Sequence, residues 1–475
     1  MVPSATFKAQ ARAALADEAL QRALGGLPGG LVARRAAAVR ELPEFETLRD
    51  EARDIRDRTL ADLDLYLEAF TQRAEAAGTI VHWAGDASEA CSLILDICRA
   101  VNAGLVAKGK SMVTEEIGLN AHLEAAGLSV VETDLGEYLV QIRGETPSHI
   151  IAPAIHLTED DVERDFRRVH AHLSKDRTFG GPADLVAEAR AVLREKFLAA
   201  DVGITGANFL VAETGSAILV TNEGNGDLTQ SLPRVHIVVA SIDKVVPTLE
   251  DAATLLRVLA RSATGQEMSA YTTLATGPRR AGDPDGPEAC HLVIVDNGRT
   301  RLLANPDTRA VLRCIRCGAC VNHCPVYNVI GGHPYRSVYA GPIGAALTPG
   351  LGGVRENSDL PKASTFCGRC EEVCPVRIPL VHIMRHWRSE LAQRRAASPG
   401  KRIGLAIWSS LAKRPRLYHA VMRLAVAALG ARGRRRGSFS WLPFARGWTR
   451  TRDLPAPEGR TFQQLWHETR RGVPR

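Results

Sequence analysis

No stretch of this 475-residue chain reaches the roughly 18 consecutive apolar residues that a membrane-spanning helix needs. Its opening, MVPSATFKAQARAALADEAL, lacks an apolar core of signal-peptide length, so the chain is read as cytoplasmic. No G-x-G-x-x-G opens a helix after a strand and there is no P-loop, which excludes the usual dinucleotide and nucleotide cradles. Acidic residues are scarce at the end: residues 401–475 hold 17 Lys and Arg against 3 Asp and Glu. The whole chain carries +7, so residues 1–400 sum to −7 and the basic character belongs to the tail.

What is present is ordinary globular material, 45% apolar and 24% charged, in a chain long enough for two or three domains. Residues 1–75 read as a helical segment packing on the next domain, with Leu48, Ala52, Ile55, Leu63, Leu67 and Phe70 near a period of 3.6 and Gly78 as a stop. Over 76–300, short β-branched runs (79–82, 129–132, 217–221, 235–240) alternate with helical stretches, which predicts one α/β domain. Residues 301–395 are rich in Gly, Pro and Cys, with one long periodic segment near 379–395, and read as a small domain with little core of its own. Residues 396–475 are the basic extension.

Cysteine is concentrated in that third segment. Cys314, Cys317, Cys320 and Cys324 precede Pro325 in the pattern C-x2-C-x2-C-x3-C-P. A loop of this spacing wraps an iron-sulfur cube with three thiolates, and its fourth cysteine ligates another cluster. Cys367, Cys370, Cys374 and Pro375 reproduce the last three positions. Mutual exchange then assigns Cys314, Cys317, Cys320 and Cys374 to cluster 1, and Cys324, Cys367 and Cys370 to cluster 2. Zinc is the competing metal, but two runs that each end in x3-Cys-Pro suit interlaced clusters better. Two 4Fe-4S clusters are expected. Where a fourth cysteine would stand the chain has Ser364, so the second cluster is either 3Fe-4S or takes a non-cysteine ligand, with Ser364, Cys290 and a partner or solvent oxygen as candidates. Cys91 and Cys98, two helical turns apart, read as small buried apolar residues.

The blocks GKSMVTEEIGLN (109–120), ITGANFLVAETGSAILVTNEGNG (204–226), the cysteine runs with their flanks, and GWTRTRDLPAPEGRTFQQLW (447–466) together resemble the lactate utilization iron-sulfur protein family, the B component of a three-part L-lactate oxidizing system. The resemblance covers nearly the whole chain. It implies an α/β LUD domain of the sugar-phosphate isomerase and CoA-transferase (NagB/CoA-transferase-like) superfold, joined to a small α-helical ferredoxin-like domain with two clusters. The family shares the seven-cysteine arrangement, so Ser364 is no departure from it. The resemblance further implies a share in oxidizing L-lactate to pyruvate, with a cysteine-rich-domain subunit and a second LUD-domain subunit as partners. This chain lacks the paired-cysteine CCG motif of that partner, which fits a division of labour.

An iron-sulfur relay passes single electrons and cannot itself remove a hydride and a proton from an organic substrate. The expected function is therefore electron transfer within a lactate-oxidizing complex. The alternatives are a self-sufficient LUD-domain enzyme acting on a CoA ester or sugar phosphate with structural clusters, an iron-sulfur component for another 2-hydroxy acid such as glycolate, or a cluster-based sensor. The loops AETGS (212–216) and TNEGNGD (221–227) are the ligand candidates of the LUD domain, through Glu213, Thr214, Asn222, Glu223 and Asn225. Lys108-Gly109-Lys110 reads as a solvated loop, although it could meet a substrate carboxylate. Residues 333–339, with His333, Tyr335, Arg336 and Tyr339, lie in a long connection expected to be anchored by the clusters rather than by a core. The basic tail is read first as docking a partner subunit and second as touching the inner face of a membrane. No nucleic acid is expected, since no recognition motif is present.

Overall fold

Leu48, Ala52 and Ile55 lie on one buried face of the helix Phe45–Ala61 in the computed structural model, and Leu63, Leu67 and Phe70 do the same in Leu63–Ala76. The second helix ends two residues before Gly78, whose φ of +94° turns the chain into the first strand. The structure describes residues 7–174, 176–396, 399–443, 445–449 and 451–471. They form two compact units, Met1–Leu391 and Ala392–Arg475.

The first unit is built on a six-stranded sheet of β1 (Thr79–Ala84), β2 (Leu105–Lys108), β3 (Ser129–Glu132), β4 (Val202–Gly206), β7 (Val235–Ser241) and β10 (Ala289–Val295). Every neighbouring pair is parallel, in the order β1-β10-β7-β4-β2-β3. β7 is buried along its whole length, as an apolar strand covered on both faces must be. One face packs on the helix Ala87–Ala100, where Cys91 and Cys98 are buried with Ile94 and Leu95. Against the other lie the helix Leu63–Ala76 and a smaller sheet of β5 (Phe209–Val211), β6 (Ser216–Thr221), β8 (Val245–Val246) and β9 (Tyr271–Ala275), ordered β8-β5-β6-β9.

The order of the main sheet reverses between β2 and β4. From β2 the chain steps outward to β3, then returns to β2's other side and continues through β4 and β7. Loops leaving the carboxyl ends of strands diverge at such a point and leave a crevice for a ligand.

The cysteine segment departs from expectation, because it has a substantial core. Tyr327, Tyr335, Tyr339, Ile343, Leu347 and Leu360 are buried in one continuous apolar cluster that also takes in Phe7, Phe45 and Ile55 of the N-terminal helices. The helix Gly341–Gly352 is buried along nearly all its length, so the long connection is held by packing as well as by whatever the cysteines bind. The N-terminal helices reach it with polar anchors too. Gln21 Nε2 donates to the Val329 carbonyl, Arg35 Nη2 to that of Val373, and Arg49 Nη2 to those of Glu372 and Cys374.

A pH dependence follows from the sheet. His236 in β7 is 2% exposed, shares a 2.8 Å hydrogen bond with Thr205 Oγ1, and burial pulls its imidazole down from 6.5 to about 4. The unfolded chain therefore binds a proton between pH 6.5 and 4 that the folded chain refuses, and stability falls as pH drops through that window. The loss from this one group is roughly 3 kcal/mol. His236→Gln is expected to flatten that part of the profile of urea midpoint against pH; an unchanged slope would refute the assignment.

In the second unit, helices Pro399–Ala412 and Pro415–Gly433 are followed by a short antiparallel pair, β11 (Ser438–Phe439) with β12 (Leu454–Pro455), and the helix Phe462–Arg471. Ile403, Ile407, Trp408 and Leu424 are exposed. No helix among the described residues is long and apolar enough to cross a membrane.

Candidate iron-sulfur centre and the adjoining cleft

Tight local turns shape each cysteine run. Arg316 (φ +61°) and Gly318 (φ +72°) bracket Cys317, while Phe366 (φ +55°) and Gly368 (φ +82°) bracket Cys367. Each turn feeds a one-turn helix, Ala319–Asn322 or Arg369–Glu372, that carries the next cysteine. Glycine is favoured at 318 on two grounds. Its backbone is left-handed, and a Cβ there would come within 3.0 Å of Ile151 Cγ1.

These turns aim the thiols into two adjoining groups. Cys314, Cys317, Cys320 and Cys374 wall one small cavity, closed by Ile150, Ile315, Ile343 and Val376. Cys324 lies within electrostatic reach of Cys367, and Cys370 within reach of both. Cys320 of the first group also senses Cys370 of the second, so the groups are neighbours. Burial pushes the Cys374 thiol up to about 11 and the Cys370 thiol up to about 12. Four thiols so placed become thiolates together only around a cationic core, and soft sulfur donors on C-x2-C-x2-C-x3-C-P spacing suit iron-sulfur chemistry. Arg35 and Arg49 act on Cys317 and Cys374 respectively in the direction that favours the charged form.

The second group contains three cysteines. Ser364 Oγ accepts a hydrogen bond from the Phe366 amide at 3.0 Å and so shapes the turn before Cys367. Cys290 sits in β10, with its thiol donating to the Gly277 carbonyl at 3.2 Å.

The LUD-side residues behave differently from one another. Asn222, Glu223 and Asn225 line a large cleft, and Glu213 and Thr214 do not. Glu213 Oε2 accepts from the Leu249 amide at the start of the helix Leu249–Ala263, and Thr214 Oγ1 bonds to Ser216 within its own turn. The cleft opens at the carboxyl ends of β2 and β4, the point of strand-order reversal, and is also lined by Lys110, Ser111, Thr205, Asn208, Lys244 and Arg316. Lys244 is 7% exposed, and burial, reinforced by Arg316, lowers its ammonium to about 7. Sequence reasoning missed Lys244 and Arg316 because neither belongs to a glycine-rich loop of the sheet.

The solvated-loop reading of Lys108-Gly109-Lys110 is overturned. Lys108 ends β2 at 0% exposure, paired with Glu132 at 2.7 Å and Glu115 at 3.0 Å. Lys110 lies in the cleft wall and donates to the Ile151 carbonyl.

The two sites share a wall, since Ile150 and Arg316 line both the cleft and the thiol cavity. A buried ionic network holds that wall. Arg299 grips Glu116 at 2.6 and 2.9 Å and Asp243 at 2.8 Å, Tyr339 donates to Glu116 at 2.6 Å, and Arg316 Nη2 lies 3.5 Å from Asp243. Beside it His149 accepts from the Ile151 and Ala152 amides at 3.1 Å through Nδ1, and Nε2 pairs with Asn322 Oδ1 at 2.8 Å. This fixes the imidazole as the neutral Nε2–H tautomer, and burial holds it near 4.

An α/β domain whose ligand crevice abuts a two-group thiol centre, in one continuous fold, defines a LUD-type protein fused to a dicluster iron-sulfur domain. The family comparisons agree: the LUD domain matches residues 67–295, the 4Fe-4S dicluster domain 310–378, and the C-terminal domain of lactate utilisation protein B 388–471. Lactate utilization protein B of Bacillus velezensis is 41% identical over 99% of this chain and 98% of its own length. Those of Bacillus licheniformis (42%, 98% and 97%) and Bacillus subtilis strain 168 (41%, 96% and 95%) are equally similar. The chain belongs to the lactate utilization protein B family. A solved DUF162 family protein from Deinococcus radiodurans aligns with 49% of this chain and 98% of its own at 16% identity, with a TM-score of 0.28, too low to add to the assignment.

Proposed function

We propose that this chain is the iron-sulfur electron-transfer component of an L-lactate-oxidizing system. Family membership supports a role in lactate utilization, and the dicluster domain supports iron-sulfur clusters. The observation that carries the finer reading is the crossing of the two runs: Cys374 joins the group of Cys314, Cys317 and Cys320, while Cys324 joins that of Cys367 and Cys370. On this reading the first set holds cluster 1 and the second holds cluster 2 through three thiolates. Bound clusters supply one-electron acceptance and release. The protein's part is to keep the two thiol groups adjacent, exclude water from the first, and set Arg35 and Arg49 beside them. Hydride removal from the hydroxy acid falls to partners, a cysteine-rich-domain subunit and a second LUD-domain subunit, with the basic tail as the docking element.

Anaerobically purified chain is expected to be brown, to contain iron and acid-labile sulfide, and to give a low-temperature EPR signal that changes on dithionite reduction. It should not oxidize L-lactate alone and should do so once the partners are added. Colourless, zinc-containing protein would overturn the reading. Turnover of a CoA ester or sugar phosphate that survives Cys370→Ser would favour a self-sufficient LUD enzyme, and equal activity with glycolate would broaden the substrate.

A further inference from the structure

The cleft at the reversal point of the sheet is lined by polar atoms that the fold leaves unsatisfied. Asn225 Oδ1 and Thr221 Oγ1 are buried without hydrogen-bond partners, Asn225 being 9% exposed, while Arg316 Nη2, in a residue 7% exposed, makes no hydrogen bond and has only the Asp243 carboxylate at 3.5 Å. Lys244 makes no hydrogen bond or salt bridge among the described residues, and Lys110 uses one of its three donors on the Ile151 carbonyl. Buried polar groups are normally paired, so a set of orphans facing one crevice marks missing partners.

The chemistry of the set is specific. Lys110 and Arg316 are cationic donors, and Lys244, lowered by burial to about 7, becomes fully so when an anion lies beside it. The acidic residues of the same wall are engaged or peripheral: Asp134 caps the helix Leu135–Ile142 through the Glu137 amide, and Glu223 is solvent-exposed and accepts from the Asn222 amide. Asp243 balances Arg316 from 3.5 Å, so the cationic groups of the cleft wall without a carboxylate partner among the described residues are Lys110 and Lys244. Asn225 Oδ1 and Thr221 Oγ1 add acceptor capacity. A ligand that satisfies both halves carries an anionic group and, close to it, a hydroxyl that can donate.

We propose that this cleft binds a small 2-hydroxy carboxylate, its carboxylate held by Lys110, Lys244 and Arg316 and its hydroxyl directed to Asn225 and Thr221. The inference deepens the relay reading and rests on it for the substrate class. Because Arg316 and Ile150 face both spaces, a bound acid lies one side chain away from the cavity of Cys314, Cys317, Cys320 and Cys374. The chain would then recognize the acid as well as conduct electrons.

The test titrates the anaerobic, iron-containing full chain with L-lactate, glycolate, acetate and inorganic phosphate by isothermal calorimetry. Saturable binding of L-lactate or glycolate at least about tenfold tighter than acetate or phosphate is expected, since a site built for a hydroxyl penalizes an analogue without one. Lys244→Met should weaken binding at least about tenfold while iron content stays at the wild-type level. Lys110→Met, on the loop after β2, provides a second variant should the first fail to fold. No saturable binding, acetate or phosphate binding as tightly as the hydroxy acids, or unaltered affinity in both variants would each overturn the proposal. Iron content and EPR report on the relay separately, so loss of one reading does not disguise loss of the other.

Discussion

Cys374→Ser is expected to remove the same EPR signal as Cys314→Ser, although the two residues stand in different runs, and to leave the signal that Cys370→Ser removes. Cys374 lines the cavity of Cys314, Cys317 and Cys320, and its Sγ accepts from the Ile378 amide at 3.4 Å, which orients it there. A hydroxyl is a poor donor to thiophilic iron, so each substitution should take out one centre, with a fall of about half in bound iron. Cys324→Ser should group with Cys367→Ser and Cys370→Ser. The measurement is iron per chain with EPR of the reduced protein across the five variants. Grouping by sequence run, 314 with 324 and 367 with 374, would contradict the crossed arrangement. The variants lacking Cys324, Cys370 or Cys374 should also unfold more readily than those lacking Cys314 or Cys367, because the first three are buried in the core shared with the N-terminal helices and Cys367 is exposed.

The largest loss of stability should come from Arg299→Met. The side chains of Arg299 and Asp243 are 0% exposed and that of Glu116 is 1% exposed, and the guanidinium is the main counter-charge that keeps Glu116 below the usual carboxylate range. Burial alone would push that carboxyl up; Arg299, then Tyr339 and Asn297, reverse it. Removing the cation leaves buried carboxylates without their partner, at about 3–5 kcal/mol. The sign across pH is fixed by the same fact. In the wild type Glu116's contribution is present above its unfolded value of 4.5 and lost as pH falls below it, whereas in Arg299→Met protonation becomes favourable, so the gap between the two proteins should narrow in acid. Glu116→Gln added to Arg299→Met should recover part of the loss. Chemical unfolding midpoints at pH 7 and pH 5 measure both effects, and a midpoint at pH 7 equal to wild type would refute them.

Much of the α/β scaffold was legible because it depends on short-range pattern. The β-branched runs at 79–82, 129–132, 217–221 and 235–240 became β1, β3, β6 and β7; only β7, buried on both faces, is a continuous buried stretch, while the edge strands β1 and β3 are partly exposed. The segment at 379–395 likewise became the helix Leu380–Gln393. Lys108 was misread because a lysine flanked by glycine looks solvated until Glu115 and Glu132, from a helix and a neighbouring strand, are brought against it. The core of the cysteine segment was missed for a related reason. Its tyrosines and aliphatics follow no single period, and they are buried by helices from the opposite end of the unit.

Local spacing by itself determined the metal chemistry. Cysteines two or three residues apart, with Gly318 and Gly368 allowing left-handed turns, can converge on one inorganic core wherever the rest of the chain lies. Tertiary structure alone decided what stands beside that core. Lys110 follows β2, Lys244 precedes β8 and Arg316 comes from the first cysteine run, so no window of sequence contains all three, and only the packing of the LUD sheet against the cysteine segment makes their charges face one cleft.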